Sequence, residues 1–598
     1  MTLPERTVTI TILVLLAGTI TATAESAADV APGAAIGRTW HVAPAELSGL
    51  PAEVQCRTIS EAAAKAEAGD VVVIHDGVYR ETVTVARSGT PDKPIRFEAA
   101  PGEHVVVTGA DELRQWRKEP DAEVVYSTPW PHRFIQWNKE FTHPDDDYHR
   151  MIGRSEQVLI RGYSLLQVLR RDKLSRGTFY VDLEAKRLYV CPRDGSDLSA
   201  RNAPPVEASS RSLLWLCKGA HVRLRGLRFR YAANMAQHGG AKFEGPGGVV
   251  EDCVFEQMNS CGANLNAADL VVRRCTFRDN GQEGFRASRA HHLLLTECLI
   301  ENNNVKGFDR GWEAGGNKLD LSRGAVLERS RFLRNRGHGV WFDIGNEQCV
   351  VRNCLIADNE DCGIFYEISH GLHAHDNVIV GNGFADTPGS WGAAAGISVS
   401  SSPGCLIERN LIFGNHEGFN FREAERTTPR IDDAKKQWVW NHDETVRRNI
   451  LALNRDAQVW GWFDIDDERH WPEAVWKPGR RESWRTAVQP ADAVGRPPDD
   501  LRLEGLKIVF DGNLYHARPW QGLFHWGVTW KRHSKYATLD DLRQELTFEA
   551  GGRAADPGFA DPQSRDFRVP ADSPALQMDC YPHGDVPGIR LGTLPANP

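Results

Sequence analysis

The chain has 598 residues, 41% hydrophobic and 25% charged, a composition that can bury a large core. That excludes a disordered chain, a collagen and a polytopic membrane protein. Its 71 basic and 80 acidic residues give a net charge of −9 with no basic run, which argues against nucleic acid as a partner.

The N-terminus carries Arg6, an apolar run from Val8 to Ile20, and Ala22-Thr23-Ala24. These features predict a cleavable secretory signal over residues 1–24. The run is too short to span about 30 Å of hydrocarbon. The mature chain is therefore expected to start near Glu25, to be secreted or periplasmic, and to leave the membrane after cleavage.

Thr58-Ile59-Ser60-Glu61 and the alanines after it read as a capping helix, followed by Gly69-Asp70-Val71-Val72-Val73-Ile74 as a first strand. Cap and first coils together occupy 25–110. Residues 111–205 break the pattern that follows. With Trp116, the Trp130-Pro131 turn and the strands Gly177–Leu183 and Arg187–Val190, they read as an inserted β-rich subdomain.

From 206 to 460 the sequence repeats. Val249–Phe255, Val271–Phe277, Leu294–Ile300, Val326–Phe332, Val350–Ile356, His373–Ile379 and Leu406–Ile412 are variants of one heptapeptide. Their anchors (Cys253, Cys275, Cys298, Ser330, Cys354, Asn377, Asn410, Asn449) are separated by 22, 23, 32, 24, 23, 33 and 39 residues. A base period of 22–24 residues, short β-branched strands and no helical pattern predict an all-β fold, a right-handed parallel β-helix, with coils stacked about 4.8 Å apart. Cys253, Cys275, Cys298 and Cys354 should stack inside it as small apolar residues, with neither bridge nor metal. Asn280, Asn302, Asn335, Asn359, Asn382 and Asn415 are expected at tight turns that tolerate left-handed geometry. Residues 461–598 read as loop-rich last coils and a closing segment. Ten of the 18 Trp fall between Trp438 and Trp530, a candidate platform for sugar rings.

Each coil has a second strand that starts at a Gly: Gly262, Gly284, Gly316, Gly339, Gly363, Gly396 and Gly418. Side chains alternate along a strand, so positions +1 and +3 should face the core and +2 and +4 solvent. The +2 column contains Arg286, Lys318, Trp341 and Phe365; the +4 column contains Asp320, Asp343, Glu367 and Arg422. Three carboxylates on consecutive coils repel one another, which a structural ladder of Asn, Ser or Thr would avoid. Asp343 and Glu367 are 24 residues apart, one coil. Retaining glycosidases place two carboxyl groups about 5–5.5 Å apart and inverting ones about 6.5–9.5 Å, so the coil spacing fits retention. Charge repulsion within such a pair should keep one member protonated. The insertion from Lys306 to Lys318 brings Trp312 and Glu313 above the pair, and the insertion from Phe384 to Ala395, with Trp391, forms the other wall. Trp312, Lys318, Asp320, Trp341, His370, Arg286, Arg422 and Trp391 are the expected contacts with a carbohydrate substrate. A hydrolase would need neither metal nor cofactor.

These residues resemble a known family. Val340-Trp341-Phe342-Asp343-Ile344-Gly345-Asn346, then Ile364-Phe365-Tyr366-Glu367-Ile368-Ser369-His370-Gly371, with the Trp312-Glu313 loop, look like the retaining β-xylosidases of glycoside hydrolase family 120, and in layout like family 141. The resemblance implies a β-helix with an inserted β-subdomain, Asp343 as nucleophile, Glu367 as protonated acid/base and Glu313 as its assistant. One position departs: Ile344 stands where the family has Trp after the nucleophile.

Two other functions fit a β-helix. A polysaccharide lyase or uronan epimerase would hold Ca²⁺ on Asp320, Asp343 and Glu367 and use Lys318 or Arg286 as base. A non-catalytic carbohydrate-binding protein would do neither.

Overall fold

The computed structural model describes residues 37–134, 154–385, 393–424, 426–463, 471–472, 493–496, 501–527 and 533–595. The expected signal peptide and Trp391 lie outside them. No helix among the described residues is long and apolar enough to cross a membrane.

Three sheets of 14, 13 and 13 strands run along the molecule, parallel but for the antiparallel pairing of Gly522–Gly527 with His533–Tyr536 at one end, and each central coil gives one strand to each sheet. The heptapeptides stack in register, Val249 on Val271 on Leu294 on Val326 on Val350. This is a parallel β-helix. Its core is one continuous cluster, in which Phe229, Phe255 and Phe277 stack with ring centroids 5.2 and 4.9 Å apart. Each fully buried Phe contributes about 1.5–3 kcal/mol. Cys253, Cys275, Cys298 and Cys354 occupy one core column, and all twelve cysteines are buried and free. The column goes on through Ser330 and Asn377, whose side chains accept from the Cys298 and Cys354 amides at 3.0 Å each.

The asparagines behave differently from the turn residues expected. Asn280, Asn303, Asn335, Asn359, Asn382, Asn415 and Asn454 form a buried ladder, each Nδ2 donating to the next Oδ1 at 2.9–3.1 Å. Left-handed geometry falls on the residue before each, such as Asp279, Arg334 and Asp358. Asn302 is one of those preceding residues, with φ 51°, and Asn303 takes the ladder position.

The helix Ile59–Lys65 closes the N-terminal end of the core with Ile59, Ala62 and Ala63. Its Thr58 cap accepts from the Glu61 amide at 3.1 Å. Leu539–Leu546 buries Leu539, Leu542 and Leu546 against the last coils. Between Ala110 and Ser209 the chain leaves the coils and forms a five-stranded and a four-stranded sheet. These enclose their own core of Tyr126, Trp130, Phe179, Val181, Leu188 and Val190.

Candidate active site

One of the 13-stranded sheets carries the strands Glu283–Ser288, Gly315–Asp320, Val340–Phe342, Ile364–Glu367, Ala395–Ser400 and Glu417–Glu423. The alternation holds: Phe285, Leu319, Val340, Phe342, Ile364, Tyr366, Ile397 and Val399 all enter the core. Trp341 and Phe365 are paired neighbours on the opposite face, and Phe342 pairs with Tyr366. Asp343 and Glu367 therefore follow one another on adjacent coils, about 4.8 Å apart along the stack. The residue after each carboxylate is left-handed: Leu321 at φ 48°, Ile344 at 55° and Ile368 at 37°. β-branched side chains rarely adopt that geometry. It turns the chain away at once, so the carboxylates stand at the edge where the face ends.

This outward face is the floor of a pocket. Trp341, Asp343, Phe365 and Glu367 are all at most 7% exposed. The pocket, about 310 Å³, is lined by Trp312, Glu313, Lys318, His338, Trp341, Asp343, Phe365, Glu367, Arg422 and Arg426. The loop after Lys306 and the hairpin Arg426–Arg430/Asp433–Val439 bring in residues that cover it.

Within it, carboxylates and cations alternate. Lys318 Nζ lies 2.7 Å from Asp343 Oδ2 and 2.9 Å from Glu313 Oε1. It also sits over the Trp341 ring, 4.3 Å from the centroid. Arg286 binds the other Glu313 oxygen and reaches Asp320 Oδ2 at 3.1 Å. Arg426 Nη1 meets Glu367 Oε1 at 2.6 Å. Asp343 Oδ1 is buried and has no hydrogen-bond partner among the described residues. Burial, then the charge of Glu367, pushes the Asp343 carboxyl up to about 6, with Lys318 opposing. Burial works against Glu313 too, but Lys318 and Arg286 outweigh it and hold that carboxyl below its usual range. The Lys318 amine is raised in turn, as Asp343 and Glu313 overcome its burial. Glu367 is thus ion-paired instead of standing as an isolated acid.

Of the expected contacts, Trp312, Lys318, Trp341 and Arg422 line the pocket beside Asp343, Glu367 and Glu313. Arg286 and Asp320 do not: Arg286 holds Glu313 from behind, and Asp320 is tied to Arg286 and to Ser288 Oγ. His370 lies elsewhere. Beyond the turn at Ile368 it lines a separate cavity with Arg323, Glu347, Arg430 and His442. The C-terminal tryptophans contribute nothing to the described lining; Trp438, Trp471 and Trp526 are buried, and Trp520 is 77% exposed. Two lining residues went unread in the sequence. Arg426 lies on a hairpin outside the repeat. His338 comes just before a strand Gly, where no column was drawn, and it stacks on Phe365 at 4.6 Å. Burial, helped by Arg422, pushes its imidazole down to about 3, so it is neutral.

Among the described residues no three His, Cys, Asp or Glu gather as metal ligands. Asp320, Asp343 and Glu367 each face a cation, so as they stand the three do not fit a shared Ca²⁺.

A family model described as a right-handed β-helix region matches residues 239–412. The uncharacterized protein YwoF of Bacillus subtilis (strain 168) is 41% identical over 73 residues, 12% of this chain and 14% of that protein. Human Fibrocystin-L is 27% identical over 132 residues, 21% of this chain and 3% of that protein. The chain thus covers a small part of either relative. A solved structure described as XylC in complex with xylose superposes with a TM-score of 0.59 at 16% identity, over 81% of this chain and 85% of that one. That likeness shows the fold, a β-helix shared across most of both molecules.

Proposed function

We propose that this protein is an exported retaining glycoside hydrolase acting on a plant or algal polysaccharide or oligosaccharide with xyloside-like sugars. The observation that carries this reading is the Asp343–Glu367 pair, one coil apart on the floor of a pocket, with one Asp343 oxygen clamped by Lys318 and the other unpartnered. A carboxylate held at Oδ2 and bare at Oδ1 is arranged to attack. Asp343 Oδ1 forms the bond to the anomeric carbon as the glycosidic C–O bond breaks, and Glu367 gives its proton to the departing oxygen. Glu367 then takes a proton from water, the resulting hydroxide displaces Asp343 from the same carbon, and the anomeric configuration is retained. The pair has to carry one proton in the Michaelis complex, on Glu367. With its carboxyl pushed up to about 6 by burial, Asp343 is still mainly ionised at neutral pH, as a nucleophile must be. Trp312, Trp341 and Phe365 offer faces for the pyranose ring. The shared fold with a structure that holds xylose supports the sugar class.

A lyase base must lose its proton, whereas the Lys318 ammonium is stabilised by two carboxylates. That clamping favours hydrolysis. The test is a panel of aryl glycosides and plant and algal polysaccharides, with product anomers followed by NMR. The β-configured reducing sugar released first from an aryl β-xyloside supports the reading. An inverted anomer, or an unsaturated product whose formation a calcium chelator stops, overturns it.

A further inference from the structure

A second pocket, about 560 Å³, lies where the inserted subdomain meets the coils, a usual place for ligand sites. Leu165 and Phe179 from the insertion face Met258 and Phe308 from the coils, while Gln167 and Lys306 supply polar edges. Glu156 and Asp279 add carboxylates, and apolar walls with a margin that both donates and accepts hydrogen bonds match a pyranose, which has C–H faces and a hydroxyl rim. Leu166 and Val305, 64% and 44% exposed, add apolar surface to the pocket's rim.

The two pockets share one loop. Lys306 and Phe308 line the second pocket; Gly311, Trp312 and Glu313, a few residues on, line the first. The rings of Phe308 and Trp312 lie 6.5 Å apart at 25°, so the loop presents one aromatic to each side. The pockets are centred two to three coils apart, on the order of 10–15 Å. That is within reach of a short glycan, not of a single sugar.

We propose that this pocket is a distal subsite for a pyranose of the chain bound at Asp343 and Glu367, which makes the protein prefer longer oligosaccharides. The inference rests on the glycosidase reading, and the test separates the two. Leu166→Trp and Ser164→Trp, both on the exposed margin contributed by the insertion, would plug the mouth without touching the loop. In the unmodified protein, kcat/KM should climb from xylobiose to xylohexaose. Each plug should lower the value for xylohexaose at least about tenfold, or ~1.4 kcal/mol. Hydrolysis of p-nitrophenyl β-xyloside, too short to reach, should change less than about twofold. An aryl xyloside cleaved normally with no dependence on chain length, or equal losses on long and short substrates, overturns the subsite and leaves the glycosidase standing. If nothing is hydrolysed, calorimetric binding of xylohexaose decides: tighter binding than xylobiose, lost in both plugs, supports the subsite, and equal binding by all proteins refutes it.

Discussion

Lys318 is the residue on which most of the site's charge depends. Its ammonium neutralises Asp343 and Glu313 at once and is itself buried, 3% exposed, against Trp341. Lys318→Met keeps the length and removes the charge. Asp343 then loses the cation that opposes its upward shift, so its carboxyl should rise above about 6. The acidic limb of kcat/KM should move up by about one unit or more, the usual effect of a neighbouring charge. A residue that merely packed would lower kcat and leave the limb in place. Asp343 itself also links activity to stability. Its raised carboxyl binds a proton more tightly folded than unfolded, so its contribution is favourable below about pH 4 and is lost as pH rises to about 6. Asp343→Asn mimics the protonated form. It should be inactive, with a Tm above that of the unmodified protein at pH 7 and no such gain at pH 4. A lower Tm at pH 7 would mean that the ion pair with Lys318 outweighs burial. Asp343→Ala should lower turnover of every glycoside by at least about 10⁴-fold. Glu367→Ala should spare substrates with good leaving groups and respond to azide.

The hairpin Arg426–Arg430/Asp433–Val439 acts as a wall pinned by its arginines: Arg426 on Glu367 at 2.6 Å and Arg430 on Glu347 at 2.7 Å. None of this was visible in the repeat. The floor was legible because a β-helix converts sequence spacing into position. Twenty-four residues is one coil, and alternation assigns the face, which brought Lys318, Trp341, Asp343 and Glu367 together. What covers the floor follows no period: the insertion with Trp312 and Glu313 was visible as a break in the spacing, whereas Arg426 and His338 went unread. His370 was misplaced for a related reason. It belongs to neither outward column: its strand ends at Glu367, and Ile368, at φ 37°, turns the chain away before it.

Across the whole molecule, the site is only as well placed as the stacking of its coils. Asp343 and Glu367 face each other because two coils are locked in register, and between them in sequence lies Asn359 of the buried ladder. Its Nδ2 donates to Phe332 O at 3.0 Å and to Asn382 Oδ1 at 2.9 Å. Its Oδ1 accepts from the Asn335 amide at 3.0 Å and from Asn335 Nδ2 at 2.9 Å. Asn359→Ala removes all four bonds and leaves their partners buried in a column where water has no access. An unsatisfied buried group costs about 1–3 kcal/mol, so the loss should reach roughly 3–5 kcal/mol. Asn302 also follows a repeat strand, but it is exposed and its side chain donates to Asp279 on its neighbour coil. Asn302→Ala should cost less than about 1 kcal/mol, most of it from the left-handed backbone. Urea denaturation of both variants separates a ladder from a row of turns. The ladder also predicts that Asn359→Ala loses activity under conditions where it remains folded, because slack between these two coils changes the spacing of the carboxyl pair. Equal, small losses of stability in the two variants would show that register is set by the strands alone.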